Sequence, residues 1–236
     1  MKYFNIIIFS FLIFSACETG TSNTNSNNQA SNVVSDTLNV VSDTIKDQTT
    51  IVGTERKNNE SNWLCIPNKQ VGLIKAKDDE EKIIEAFGKE NVIRDNVGIG
   101  EGEITAATIV FPNTANELII EWQSEYEYKK LSRIRIEREN AEWVTEEGIK
   151  IGTTLQELLE INGKDFYFYG FGWDYGGTTN EWEDGNVNSQ LTVFLDPQKQ
   201  GGVPQELLGD GLFSSSNPKA KEAQLEVAAF IIYFGL

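Results

Sequence analysis

Three hydrophobic patterns follow one another along the chain. From Ile6 to Phe14 apolar residues run almost unbroken, from Glu18 to about Asn62 they thin out among Asn, Ser, Thr, Asp and Gln, and from Trp63 onward they return with the spacing of helices and strands. Within the region after Trp63, a pair of segments shares a grammar. The first reads Val71 to Lys75, then Asp78 to Lys89; the second reads Glu147 to Ile151, then Thr153 to Lys164. Each predicts a short apolar strand after a glycine, a helix of two to three turns, and a closing glycine. Ile83, Ile84 and Phe87 form one helical stripe, and Leu155, Leu158 and Leu159 the other. Thr154 with Glu157 predicts a capping box, and Asp78 with Glu81 its acidic variant. Gly88 and Gly163 fall where a left-handed residue ends a helix.

Period-two alternation follows each helix. Ile104–Phe111, Glu117–Trp122 and Ile134–Arg138 read as half-buried antiparallel strands after the first; Phe166–Trp173, Gln190–Leu195 and Leu225–Phe234 follow the second. Helix then strands, twice, predicts an α+β body with two short helices packed on one face of an antiparallel sheet. The expected domains are a signal segment 1–16, a disordered tether 17–62 and one body 63–236, divided into units of about 66–140 and 141–236. The tether composition cannot bury enough apolar surface to offset its chain entropy, and a flexible coil of that length reaches roughly 35–40 Å. Val34–Leu38 and Val41–Ile45 repeat within it at heptad spacing, too briefly for a coiled coil.

The first pattern is an address. Lys2, the apolar run and Ser15-Ala16 before Cys17 have the three elements of a secretory signal, too short to span a bilayer. The small-small-Cys ending resembles the lipobox of bacterial lipoproteins. That resemblance implies cleavage before Cys17, lipidation of Cys17 by acyl chains such as palmitate, and a body held on the cell envelope, with the outer membrane favoured. Cys65, between Leu64 and Ile66, then has no intramolecular disulfide partner and reads as a small buried hydrophobe.

The glycine-strand-helix-glycine-meander order is similar to the repeated unit of beta-lactamase-inhibitor-protein-like domains and of small outer-membrane assembly lipoproteins. Gly148 to Thr154, Asn162-Gly163 and Gly170 to Gly177 also resemble the core of uncharacterised lipoproteins of the Bacteroidota. The first likeness implies an inhibitor or immunity-type protein-binding module; the second implies no activity.

Charge and residue inventory narrow the chemistry. A formal net charge of −16 repels phosphate backbones and sets nucleic-acid binding aside. The absence of histidine removes imidazole bases, His-based triads and imidazole metal ligands. Ser214-Ser215-Ser216 leads into Asn217-Pro218-Lys219, where the proline is read as breaking the Ser-x-x-Lys arrangement that a helix start would need. Gly98 to Glu103 is glycine-rich, yet Glu101 and Glu103 oppose a phosphate and a strand follows, so a turn or bulged strand entry is expected. Asp78 to Glu81 reads as a helix start rather than a metal cluster.

The segment Trp173 to Asn186 is the one place where aromatic rings and carboxylates converge. A sugar would stack on Trp173, Tyr175 or Trp182 while Asp174 or Glu181 accepts its hydroxyl hydrogens. Calcium would draw on Asp174, Glu181, Glu183 or Asp184, but their spacing does not match an EF-hand. Two carboxylates at a suitable separation would serve glycoside hydrolysis. The structural alternative is a core tryptophan at 173 and a hairpin turned by Asp184-Gly185. Ligand-binding candidates are therefore Trp173, Asp174, Tyr175, Glu181, Trp182 and Asp184, with no catalytic residue, metal or cofactor assigned. The expected partners are the membrane, through Cys17, and an envelope protein or glycan.

Overall fold

A computed structural model describes residues 62–197 and 202–235. The signal segment, Cys17, the tether up to residue 61 and its heptad repeat lie outside the described residues. The fold is α+β, mostly antiparallel, as the alternation predicts. Its centre is a six-stranded sheet of β4 (Val92–Gly100), β5 (Glu103–Val110), β6 (Leu118–Trp122), β7 (Leu131–Ile136), β11 (Leu191–Pro197) and β13 (Leu225–Tyr233), in the order β11-β13-β7-β6-β5-β4. A small sheet joins β1 (Leu64–Ile66), β2 (Gln70–Val71), β3 (Ile74–Lys75) and β8 (Val144–Thr145). A third holds β9 (Tyr167–Tyr169) between β10 (Thr179–Glu181) and β12 (Leu212–Ser214).

One face of the central sheet makes the main core. Val110, Leu118, Ile120, Ile134, Ile136, Val193, Phe230 and Ile232 cluster with Ile83 of helix α1 (Glu80–Phe87) and with Leu155 and Leu158 of helix α2 (Leu155–Asn162). Each such side chain contributes roughly 1.5–3 kcal/mol when fully buried. A third short helix, α3 (Pro218–Glu222), adds Ala220 to the same cluster. Cys65 is fully buried there too, and burial pushes its thiol pKa far above the ordinary value.

The helix ends hold one match and one correction. At α2 the capping box is complete: Thr154 Oγ1 accepts from the Glu157 N–H at 3.2 Å, and Glu157 Oε2 accepts from the Thr154 N–H at 2.7 Å. Gly163 closes the helix in the left-handed conformation. At α1 the cap is Asp79, which accepts from the Lys82 N–H at 3.1 Å, and not Asp78, which accepts from the Lys75 N–H at 2.8 Å. Asp78 is held by the preceding β-turn, so the cap moves one residue on. Two expected strands also change: Ile149 folds into a turn with Thr145, and the Phe166–Trp173 stretch forms only β9 before the chain leaves the sheet.

Glu80, in the first turn of α1, points inward rather than simply facing the helix dipole. Its carboxylate accepts from Arg94 Nε at 2.9 and 3.0 Å, from Arg94 Nη2, and from Thr108 Oγ1 at 2.7 Å. Trp122 Nε1 donates to the same Thr108 oxygen at 3.0 Å, and the Arg94 guanidinium lies 3.8 Å from the centre of the Tyr128 ring. Burial raises the Glu80 pKa, but the Arg94 and Thr108 hydrogen bonds outweigh it and hold the carboxyl below its ordinary range. A depressed folded-state pKa stabilises above the unfolded value of about 4.3, and that stability is lost as pH falls through the folded value. Arg94→Ala is expected to cost about 1.5 kcal/mol near neutral pH, less than a fully buried pair because Arg94 is largely exposed. Urea unfolding should show that gap closing at a pH below the Glu80 titration; an equal gap in acid would contradict the assignment.

The other face of the central sheet carries Ala107, Ile109 and Ile119, with Val97 packed against them. The β4–β5 ribbon curls over this face. Arg135 Nη1 on β7 donates to the Gly98 carbonyl on β4 at 3.1 Å, although three strand spacings, roughly 14 Å, separate β7 from β4 in a flat sheet. The ribbon ends in a two-residue turn with positive φ at Glu101 and Gly102, the geometry of a type I′ hairpin. Among the described residues, no helix is long and apolar enough to cross a membrane.

Candidate functional site

The site is built on β9. Strand alternation sends Phe168 into the core and leaves Tyr167 and Tyr169 on the outer side of the three-stranded sheet. Leu212 on β12 pairs with Tyr169 and so shares that side. On β10 Thr179 faces inward, and a register shift between Thr179 and Glu181 turns Asn180 and Glu181 outward. Tyr169 Oη donates to Asn180 Oδ1 at 3.0 Å, and Glu181 pairs with Tyr167.

Beyond β9 the chain loops back over this sheet. The Trp173 indole N–H donates to the Gly170 carbonyl at 2.8 Å, which fixes its ring against Tyr169. Tyr169 and Trp173 meet edge-to-face at 5.6 Å and 87°, and Trp173 and Tyr175 at 5.2 Å and 71°. Perpendicular rings leave ring face and edge in contact with one another, not a single flat platform. The Asp174 carboxylate is engaged beside them, accepting from the Glu101 N–H. A methyl group placed on Gly100 would lie 3.4 Å from the Tyr175 hydroxyl. The aromatic loop and the glycine-rich turn thus dock on each other.

Glu181, Trp182 and Asp184 stand apart from that contact and line a shallow depression of about 350 Å³. Trp182 is only 6% exposed, packs its ring 4.9 Å from Phe166, and donates from Nε1 to the Leu191 carbonyl at 2.7 Å. It is a core residue, and it takes no part in a stacking platform. The core tryptophan is 182 and not 173, because the chain after the register shift in β10 turns 182 inward while the loop after Gly170 lifts 173 out. The hairpin turn also shifts: Glu183 and Asp184 hold the positive φ angles, and Gly185 donates to the Trp182 carbonyl at 2.9 Å. Gly185 is required instead by Asn162, whose side-chain oxygen would lie 2.1 Å from any Cβ there.

Sequence reasoning missed Tyr167, Tyr169, Leu208 and Leu212. Exposure is 41% for Tyr167, 38% for Trp173, 37% for Tyr175, 51% for Leu208 and 49% for Leu212. These are five of the nine exposed large hydrophobic residues among the described residues, and they gather on and around one small sheet. Leu208 joins through its bridge to Phe171 and lies beside Gly172. The signal available in advance was the Tyr-Phe-Tyr alternation, which a small sheet with one open face requires. No group of three or more acidic or cysteine side chains suited to a metal ion occurs among the described residues.

Comparisons with protein-family models, curated proteins and solved structures return no match. The functional reading therefore rests on the chain's own residues.

Proposed function

We propose that this protein is a lipid-anchored cell-envelope binding module, non-catalytic, whose ligand docks on the outer face of the β9 sheet. The observation that carries the reading is the gathering of Tyr167, Trp173, Tyr175, Leu208 and Leu212 at one exposed site. Scattered apolar residues are ordinary on a protein surface, whereas a contiguous patch marks an interaction site. Tyr169 and Trp173 are held by fixed hydrogen bonds, so little entropy is lost when a ligand meets these two rings. The anchor rests on the Cys17 signal in the sequence, with the body on the periplasmic or outer side of the membrane.

An inhibitor or immunity-type role is the second reading, favoured by the exposed leucines, since aliphatic side chains suit a protein partner better than a sugar. A glycan or glycoside-active role is weaker. Trp182 is in the core, Asp174 is engaged by the Glu101 N–H, and the remaining rings are perpendicular.

Two variants of the full chain test the proposal. Cys17→Ser is expected to move the protein from the membrane fraction to the soluble fraction and to abolish incorporation of labelled palmitate. Retention of both would refute the anchor. Trp173→Ala is expected to leave the melting temperature nearly unchanged and to remove binding to an envelope-protein or glycan array. Retained binding would refute the face.

A further inference from the structure

We propose that the outer face of the β9 sheet takes a basic segment of another protein that also presents apolar side chains. The proposal rests on that face being the binding surface, and charge complementarity names its occupant. Glu181, on the same side as its pair partner Tyr167, and Asp210, two residues before Leu212, are exposed carboxylates with no ion pair or hydrogen bond among the described residues. Nearby, Lys164 Nζ donates to the Glu183 carbonyl at 3.3 Å and Lys219 Nζ to Glu222 at 2.7 Å, while Lys221 lies on α3 outside the sheet. On the three strands of this sheet Glu181 is the one charged side chain, and Asp210 lies just before β12, so the charge presented by the face itself is acidic.

Exposed tyrosine and tryptophan rings attract ammonium and guanidinium groups through their π faces, and the two carboxylates reinforce them. Leu208 and Leu212 select for apolar side chains between the cations. A free sugar or a small polyamine would leave both leucines uncovered. The net charge of −16 steers basic partners to the surface at a distance, while the patch decides where they settle.

The test is calorimetric titration of the full chain with a short capped peptide of alternating lysine and leucine. The same peptide with every lysine acetylated serves as its uncharged counterpart. Saturable binding is expected, weakened about tenfold by Trp173→Ala and about fivefold by Glu181→Gln with Asp210→Asn. Leu73→Ser, an exposed apolar position in the β2–β3 turn, should leave it within about twofold. The double substitution lies on exposed side chains and keeps the test informative if Trp173→Ala lowers stability. No binding to the wild-type chain would overturn the inference. Equal binding of the acetylated peptide, or no effect of the double substitution, would overturn the basic partner while leaving the face in place. No effect of a folded Trp173→Ala would overturn both.

Discussion

Replacing Trp182 by alanine is expected to destabilise the body by about 4 kcal/mol, the range for removing a buried tryptophan from a packed core. The indole lies between β10 and β11, with Phe166 against it, and it lines the depression together with Glu181, Asp184 and Val187. Its removal leaves a cavity and strips the Leu191 carbonyl of its donor. Neighbouring Asn162 shares the damage, because its side-chain nitrogen donates to the Trp182 carbonyl at 3.0 Å and its oxygen accepts from the Val187 N–H at 3.3 Å. For a body of this size the loss corresponds to a fall of roughly 8–16 °C in Tm. Equilibrium unfolding in urea measures it, and a cost below about 1 kcal/mol, as expected of a surface position, would contradict the core assignment.

Gly177→Ala is expected to cost as much, by a different mechanism. Gly177 has φ near +77°, and a Cβ there would lie 2.0 Å from the Leu195 carbonyl oxygen. That contact is with backbone, so no side-chain rotation relieves it. The residue also joins the two sheets: its N–H donates to the Tyr169 carbonyl at 2.9 Å, and its own carbonyl accepts from the Leu195 N–H at 2.8 Å. An alanine must either push the β9 sheet off the β11 edge or break this pair of bonds, at about 3–4 kcal/mol. Hydrogen exchange should show β9 and β10 losing protection before β6 and β7; uniform loss would contradict the role of Gly177 as the joint.

Much of the central sheet was legible from the apolar pattern of its strands, although β6, expected half-buried, is buried on both faces. The alternation in Ile104–Phe111, Glu117–Trp122 and Leu225–Phe234 survives as β5, β6 and β13, with apolar residues on the core face. β4 escaped because it is the sheet edge: Arg94, Asp95 and Asn96 are all exposed, so no period appears. Charge on that strand is also how an open edge resists pairing with another chain. The place of Glu80 was hidden for a different reason. An acid in the first helical turn explains itself through the dipole, and only the fold brings Arg94 and Thr108 to it.

The site was half legible. The stretch from Trp173 to Asn186 was recognisable as aromatic and acidic, and its docking on the Gly98–Glu103 turn joins two segments that stood out separately. Which tryptophan faces water depends on one shifted residue in β10, and periodicity carries no signal of that. Leu208 and Leu212 are a loop residue and a short-strand residue whose neighbours on the face come from β9, far away in sequence.

The central claim is that the β9 face meets a ligand. It is tested most directly by placing a photo-cross-linking amino acid at Leu212 of the full chain in the cells that make it, with Tyr126, an exposed ring outside the face, as the control position. The account predicts one discrete adduct from position 212, absent from position 126 and lost when Trp173→Ala is added. No adduct at 212, or the same adducts from both positions, would contradict it.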